Sequence, residues 1–163
     1  MFARLGPAQP AQGADVIARA AGALALAALA VIHVVDLPGT LGPTPLVGAG
    51  YLGIIAAAVV TGGAMIIRSH WLAWAAAGGV AAAAMGGYVL TRAVPGGFLG
   101  DHADVGNWRC PLGIAALSVE AILILLVVLA AWQARVQAQR VAPLSLPEPA
   151  RPRTPEFSQR HSG

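Results

Sequence analysis

The sequence predicts an all-α membrane protein: a four-transmembrane-helix bundle followed by a disordered tail rich in proline and arginine. Three observations predict it. Apolar runs of about twenty residues recur along the chain, and at ~1.5 Å rise per residue each matches a ~30 Å hydrocarbon core. Only 10% of the residues are charged and 57% are hydrophobic, whereas ordinary soluble domains carry roughly 25% charge. The mean hydropathy is +0.70, so a soluble surface could not be assembled from this composition.

Residues 1–13 contain Arg4, prolines and Gly13 without periodicity and read as a flexible N-terminal arm. The transmembrane domain is expected over residues 14–132. Its first span, 15–35, has Arg19 near its start and His33 and Asp36 near its end. A secretory leader is the rival reading of this run. The run is longer than a leader's apolar core, however, and further spans follow it. The segment from Leu37 to Pro45 reads as a turn-rich connector. The second span covers 46–67, and Arg68, Ser69 and His70 form a short loop. Trp71 and Trp74 open the third span, 71–94, where tryptophan suits the headgroup boundary. Pro95, Gly96 and Gly97 break it. A polar loop continues to Cys110, and Pro111 fits the first turn of the fourth span, 111–132. Residues 133–163 carry five arginines and five prolines. Such a composition buries no core and reads as a cytoplasmic disordered tail.

Arginine counts set the expected orientation. The N-terminal segment, the second loop and the tail are basic. The first loop has no arginine, and in the third Arg92 and Arg109 are offset by Asp101 and Asp104. Both termini are therefore expected in the cytoplasm, with the protein a multi-pass component of the cell membrane. Small residues recur at every fourth position in the third span, at Ala75, Gly79, Ala83 and Gly87, and glycine pairs stand at 62–63, 78–79 and 86–87. Glycine lowers helix stability unless packing uses it, and small faces let helices approach closely in lipid. The third span is thus expected at the centre of the bundle, with the bulky half of the fourth on its rim. The same faces suit a protein partner or a second copy of the chain; the lipid bilayer is the expected surrounding.

Polar residues gather at one end. His33, Asp36, Tyr88, Arg92 and Glu120 form the expected functional cluster. Tyr88 and Arg92 are one helical turn apart and share a face. Glu120 lies deep in the fourth span, where an ionisable group is costly unless it is paired or protonated. Three arrangements are open for it: a hydrogen bond to a backbone carbonyl or to Ser118, Tyr88 or His33; a salt bridge with Arg92; or a ligand- or proton-handling role. His33, Asp36, His102 and Asp104 are the candidate metal ligands by residue type. Their spacing matches no metal motif, so no metal and no other cofactor is expected. Cys110, the sole cysteine, excludes an internal disulfide and reads as a small residue at the start of a helix.

No phosphate-binding loop, His-Glu-x-x-His helix or nucleophile elbow is present, so no catalytic residue is assigned and the chain reads as non-enzymatic. Nucleic-acid binding lacks aromatic interleaving beside the tail arginines and is not expected. Two function classes follow. One is a structural or accessory membrane subunit acting through glycine-lined faces. The other is a ligand-, metal- or proton-handling protein using the polar cluster.

The segments IHVVDLPGTLGPTPLVGAGYLG (32–53), GYVLTRAVPG (87–96) and DVGNWRCPLGIAALSVE (104–120) resemble small four-span membrane proteins of actinobacteria. That group has His-x-x-Asp-Leu-Pro after the first span and Gly-Tyr-Val-Leu-Ser-Arg closing the third. Asp-Ile-Gly-Asn-Trp, Pro-Leu-Gly and Val-Glu lead into the fourth. The matching positions are His33, Asp36, Tyr88, Arg92, Asp104, Asn107, Trp108 and Glu120. The chain departs at Thr91, where the pattern has serine, and at Cys110, where it has glutamate. It also departs in the first loop, 39–44, which lacks the acidic residues often found there. The resemblance covers about residues 15–135 and implies a topology; it implies no activity.

Overall fold

The computed structural model describes residues 9–67 and 71–141. They form four helices, α1 (Gln9–Leu41), α2 (Pro45–Ile67), α3 (Trp71–Ala93) and α4 (Pro111–Val141). All four are long and apolar enough to cross a membrane. The chain is an all-α, four-helix bundle of small polytopic membrane-protein type. The tail beyond residue 141, the arm before residue 9 and the loop 68–70 lie outside the described residues.

Three helix boundaries differ from the sequence reading by more than one residue. Helix α1 begins at Gln9, inside the expected arm, and runs through Pro38 to Leu41, inside the expected connector. Proline removes one ladder hydrogen bond. Here it falls in the last turns, where few bonds remain to be lost. The Thr40 hydroxyl also back-bonds to the Asp36 carbonyl at 3.1 Å. Helix α4 continues to Val141, past the expected start of the tail. The stretch from Trp132 to Val141 is free of proline and rich in Ala, Gln and Arg, residues of good helix propensity.

The turn between α1 and α2 is tight. The Thr44 amide bonds to the Thr40 carbonyl and the Gly48 amide to Thr44. A Cβ on Gly48 would lie 2.8 Å from the Leu41 Cα, so this corner accepts only glycine without moving. At the opposite end Arg19 donates from Nε to the Met65 carbonyl at 2.7 Å and from Nη2 to Ile66 at 2.6 Å. These are orphan acceptors of the last α2 turn, at the negative end of the helix dipole.

The helices pack as a ring, with α1 most extensively on α2, α4 on both α1 and α3, and the thinnest of these seams between α2 and α3. The core consists of Leu26 and Leu29 of α1, Ala58 and Met65 of α2, Ala77 and Ala81 of α3, and Leu123 of α4. Large apolar side chains such as Leu24, Val60, Ile67 and Leu125 are exposed around the outside, as lipid contact requires. Helix α3 is therefore one member of the ring and not its hub. Its buried face is Ala73, Ala77, Ala81 and Ala84, a small-residue stripe displaced from the one at Ala75 and Gly79, which is exposed. In the pairs at 62–63 and 78–79 one glycine packs while the other stays open, and at 86–87 both have open space at the Cβ position. Gly62 faces Leu26 and Gly78 faces Val127, whereas Gly63 and Gly79 have no neighbour within 4 Å of a built Cβ. The bulky half of α4 does lie on the rim, with Leu125, Val128 and Trp132 exposed.

Candidate functional site: a polar cavity beneath the α3–α4 loop

The ends of α3 and α4 are joined by residues 94–110, which fold back onto the bundle. Arg92 is the centre of that fold. Its side chain is buried and every nitrogen of the guanidinium is engaged. Nε donates to the Asn107 carbonyl at 3.1 Å. Nη1 donates to the Thr91 hydroxyl at 2.7 Å and the Tyr88 carbonyl at 3.4 Å. Nη2 pairs with the Asp104 carboxylate at 3.2 Å. The Arg92 carbonyl in turn accepts the Gly106 amide. Asp104 also takes the Asn107 side-chain amide at 3.3 Å, and the Asp104 amide bonds to buried Asp101 at 3.2 Å. The rigid, forked donor set of arginine suits this multiple grip. The segments 87–92 and 104–108, separate in sequence, are thus two halves of one clamp.

Tyr88 is the clamp's second point. Its hydroxyl donates to the Trp108 carbonyl at 3.1 Å, and its ring stacks edge-on against the Trp108 side chain. The ring fits only because residue 113 has no side chain; a Cβ there would collide with the ring edge. At the loop tip, Leu99 and Gly100 both have positive φ, 53° and 87°, within a turn closed by the Asp101 amide on the Phe98 carbonyl. A leucine in this region costs roughly 1–2 kcal/mol. The strain turns Phe98 and Leu99 toward the bundle, where both line a cavity.

That cavity has a volume of about 230 Å³. Its walls combine apolar side chains, among them Ile54, Ala84 and Leu112, with His33, Asp36, Tyr51, Tyr88, Arg92 and Glu120. The five residues of the expected cluster are therefore all brought to one space. His33 and Tyr51 make an edge-on ring contact with centroids 4.9 Å apart. The His33 Nδ1 lies 2.9 Å from the Leu29 carbonyl; since a carbonyl only accepts, Nδ1 carries the proton. The Tyr51 hydroxyl donates to Asp36 Oδ2 at 3.0 Å.

Glu120 differs from all of these. It is 1% exposed, and its Oε2 is buried with no hydrogen-bond partner. The partners that sequence reasoning left open for it are engaged elsewhere. Ser118 donates to Ile114 at 2.8 Å and Tyr88 to Trp108, while His33 donates from Nδ1 to Leu29 and makes no hydrogen bond to Glu120 Oε2. Arg92 pairs with Asp104, so the Arg92–Glu120 salt bridge is replaced by an Arg92–Asp104 one. The loop carboxylate is nearer the helix end and partly exposed, so pairing with it avoids dragging a guanidinium deeper into the bundle.

The candidate metal ligands do not converge. His102 is exposed, Asp104 serves Arg92 and Asp36 serves Tyr51. Among the described residues no three His, Cys, Asp or Glu side chains are grouped to hold a metal ion. Cys110 is half-buried, and its carbonyl accepts the Ile114 amide at 2.9 Å, which places it at the cap of α4.

Tyr51, Phe98, Leu99 and Gly113 are parts of the site that sequence reasoning missed. Tyr51 had a usable signal, since it and Thr61 are the two hydroxyl-bearing residues of an otherwise apolar helix. Gly113 had none, because only the position of the Tyr88 ring gives it meaning. No family profile, curated protein or solved structure matches the chain.

Proposed function

We propose that this chain is a non-enzymatic, multi-pass protein of the cell membrane that binds a small ligand in the cavity beneath the α3–α4 loop. In this reading it is a member of the actinobacterial four-span group its motifs resemble, with both termini cytoplasmic and the cavity in the outer half of the bundle. The observation that carries the reading is Glu120, a buried carboxyl without a partner in the wall of a partly open cavity. Leaving such a group unsatisfied costs several kcal/mol in an apolar setting, and a bound ligand removes the cost. The backbone strain at Leu99 is a second such cost, spent on the cavity roof.

The test uses benzyl alcohol as a neutral probe on the full chain in mild detergent. Gly87 lines the cavity and has open space where a Cβ would stand, so Gly87→Leu is expected to extend a side chain into the cavity. Saturable benzyl alcohol binding that Gly87→Leu abolishes is expected. No such binding by benzyl alcohol, benzylamine or benzoate would end this reading.

A second reading, an accessory subunit, draws on the exposed stripe at Ala75 and Gly79 of α3. A partner helix resting there is expected to co-purify in mild detergent and to be lost on Gly79→Leu, a change remote from the cavity. A pull-down recovering no stoichiometric partner and no second copy would exclude it.

A further inference from the structure

Resting on the ligand-binding reading above, we infer that the ligand is a small organic monocation, an amine with an apolar body, whose ammonium group donates hydrogen bonds to Glu120 and to Nε2 of His33. The argument is an inventory of donors and acceptors. Nearly all donors of the wall are committed to the protein. The Tyr51 hydroxyl is on Asp36, the Tyr88 hydroxyl on Trp108 and the Thr91 hydroxyl on the Gly87 and Tyr88 carbonyls. All three Arg92 nitrogens are bonded, and four of the five guanidinium N–H groups are used. The acceptors are not committed. Glu120 Oε2 has no partner. With Nδ1 donating to Leu29, Nε2 is the ring nitrogen of His33 left to accept a hydrogen bond. Asp36 uses one of its two carboxylate oxygens on Tyr51. A wall of spare acceptors is complementary to a ligand that brings donors.

Charge points the same way. The guanidinium of Arg92 is matched by Asp104 outside the cavity and lies 3.8 Å over the Tyr88 ring, so it is not free to balance Glu120 and Asp36. An anion entering this space would meet two carboxyl groups without a spare cation. A cation would supply the missing partner.

Size and surroundings define the remainder of the molecule. A cavity of roughly 150 Å³ holds benzene, so by proportion 230 Å³ accommodates roughly nine non-hydrogen atoms. Leu46, Gly50, Ala83 and Leu99 line the cavity and are themselves exposed, on the side where the α2–α3 seam is thinnest. In a bilayer that side faces acyl chains, so the ligand is one that partitions into lipid.

Three probes that share a phenyl ring separate the alternatives: benzylamine, benzyl alcohol and benzoate. Each is titrated against the full chain in mild detergent, wild type and Glu120→Gln. Hydrogen bonds to charged groups predict that wild type binds benzylamine about tenfold or more tighter than benzyl alcohol. Glu120→Gln should remove most of that preference. Equal affinity for amine and alcohol in wild type overturns the inference, as does tighter binding of benzoate. So does an amine preference that survives Glu120→Gln. The wild-type comparison decides even if the variant is not recovered. Binding of the alcohol or benzoate that Gly87→Leu abolishes, without an amine preference, rejects the amine and leaves the ligand-binding reading standing. Binding of none of the three rejects both.

Discussion

The central carbon of the Arg92 guanidinium lies over the ring of Tyr88, 3.8 Å from its centroid, one helical turn away along α3. The two residues hold the same loop by different means. Arg92 binds Asp104 and the Asn107 carbonyl, and Tyr88 binds the Trp108 carbonyl. The cation–π contact makes each grip depend on the other's position.

Replacing Arg92 should release residues 94–110. Arg92→Gln is expected to cost about 2–3 kcal/mol of stability, since a buried, multiply bonded charge is lost while Asp104 remains partly exposed. Arg92→Lys should recover little, because a single ammonium cannot reproduce the fork. Limited proteolysis within the loop and thermal unfolding in detergent measure both. Unchanged protection of the loop in Arg92→Gln would remove the clamp.

Gly113→Ala places a methyl group against the Tyr88 ring. The ring is held by its hydroxyl and by Trp108 and cannot swing freely, so a loss of about 1–3 kcal/mol is expected. Combining it with Tyr88→Leu should cost less than the sum of the separate changes, as for any pair in direct contact. Strict additivity in the double-mutant cycle would show that the two do not touch.

Leu99→Gly removes the positive-φ strain and should relax the loop tip by about 1 kcal/mol. It also removes a side chain from the cavity roof. Stability is therefore expected to hold or rise while the affinity for a bound probe falls. Thermal unfolding and probe titration, measured on the same sample, distinguish this from a simple packing defect, in which both decline together.

Glu120→Met is expected to stabilise the ligand-free protein by about 1–3 kcal/mol, because a buried polar group without a partner is replaced by an apolar one of similar volume. The same change should abolish the preference for benzylamine. A substitution that both destabilised the empty protein and left the amine preference intact would contradict the account of Glu120 given above.

Much of the fold was legible because lipid imposes it. Four apolar runs of the right length have few alternatives to a helical bundle, and the single proline after residue 35 that α1 absorbs shifted only a boundary. The face of α3 was less legible. Alanine is so abundant there that the stripes at Ala73, Ala77 and Ala81 and at Ala75 and Gly79 look alike in sequence, and only packing against α4 and α2 separates them. In the site, the five clustered residues could be found because ionisable or hydroxylated side chains are expensive among apolar ones. Their pairing could not. Arg92 had both Asp104, in the loop, and Glu120, in the next helix, available, and the choice depended on how the loop folds back. Tyr51, thirty-seven residues before Tyr88 by the numbering, joins the site only through the α1–α2 corner at Gly48.

The roof at Phe98 and Leu99 and the walls on α1, α2, α3 and α4 also set an order of events in biogenesis. The first three helices can insert and associate without creating the cavity, because its remaining wall, Gly113 to Glu120, belongs to the last span. The loop above it has nothing to fasten to until α3 is in place, and no fixed far end until α4 is. Occupancy of the cavity is consequently a property of the completed chain alone, so a bound ligand would distinguish finished molecules from every shorter intermediate that the membrane contains.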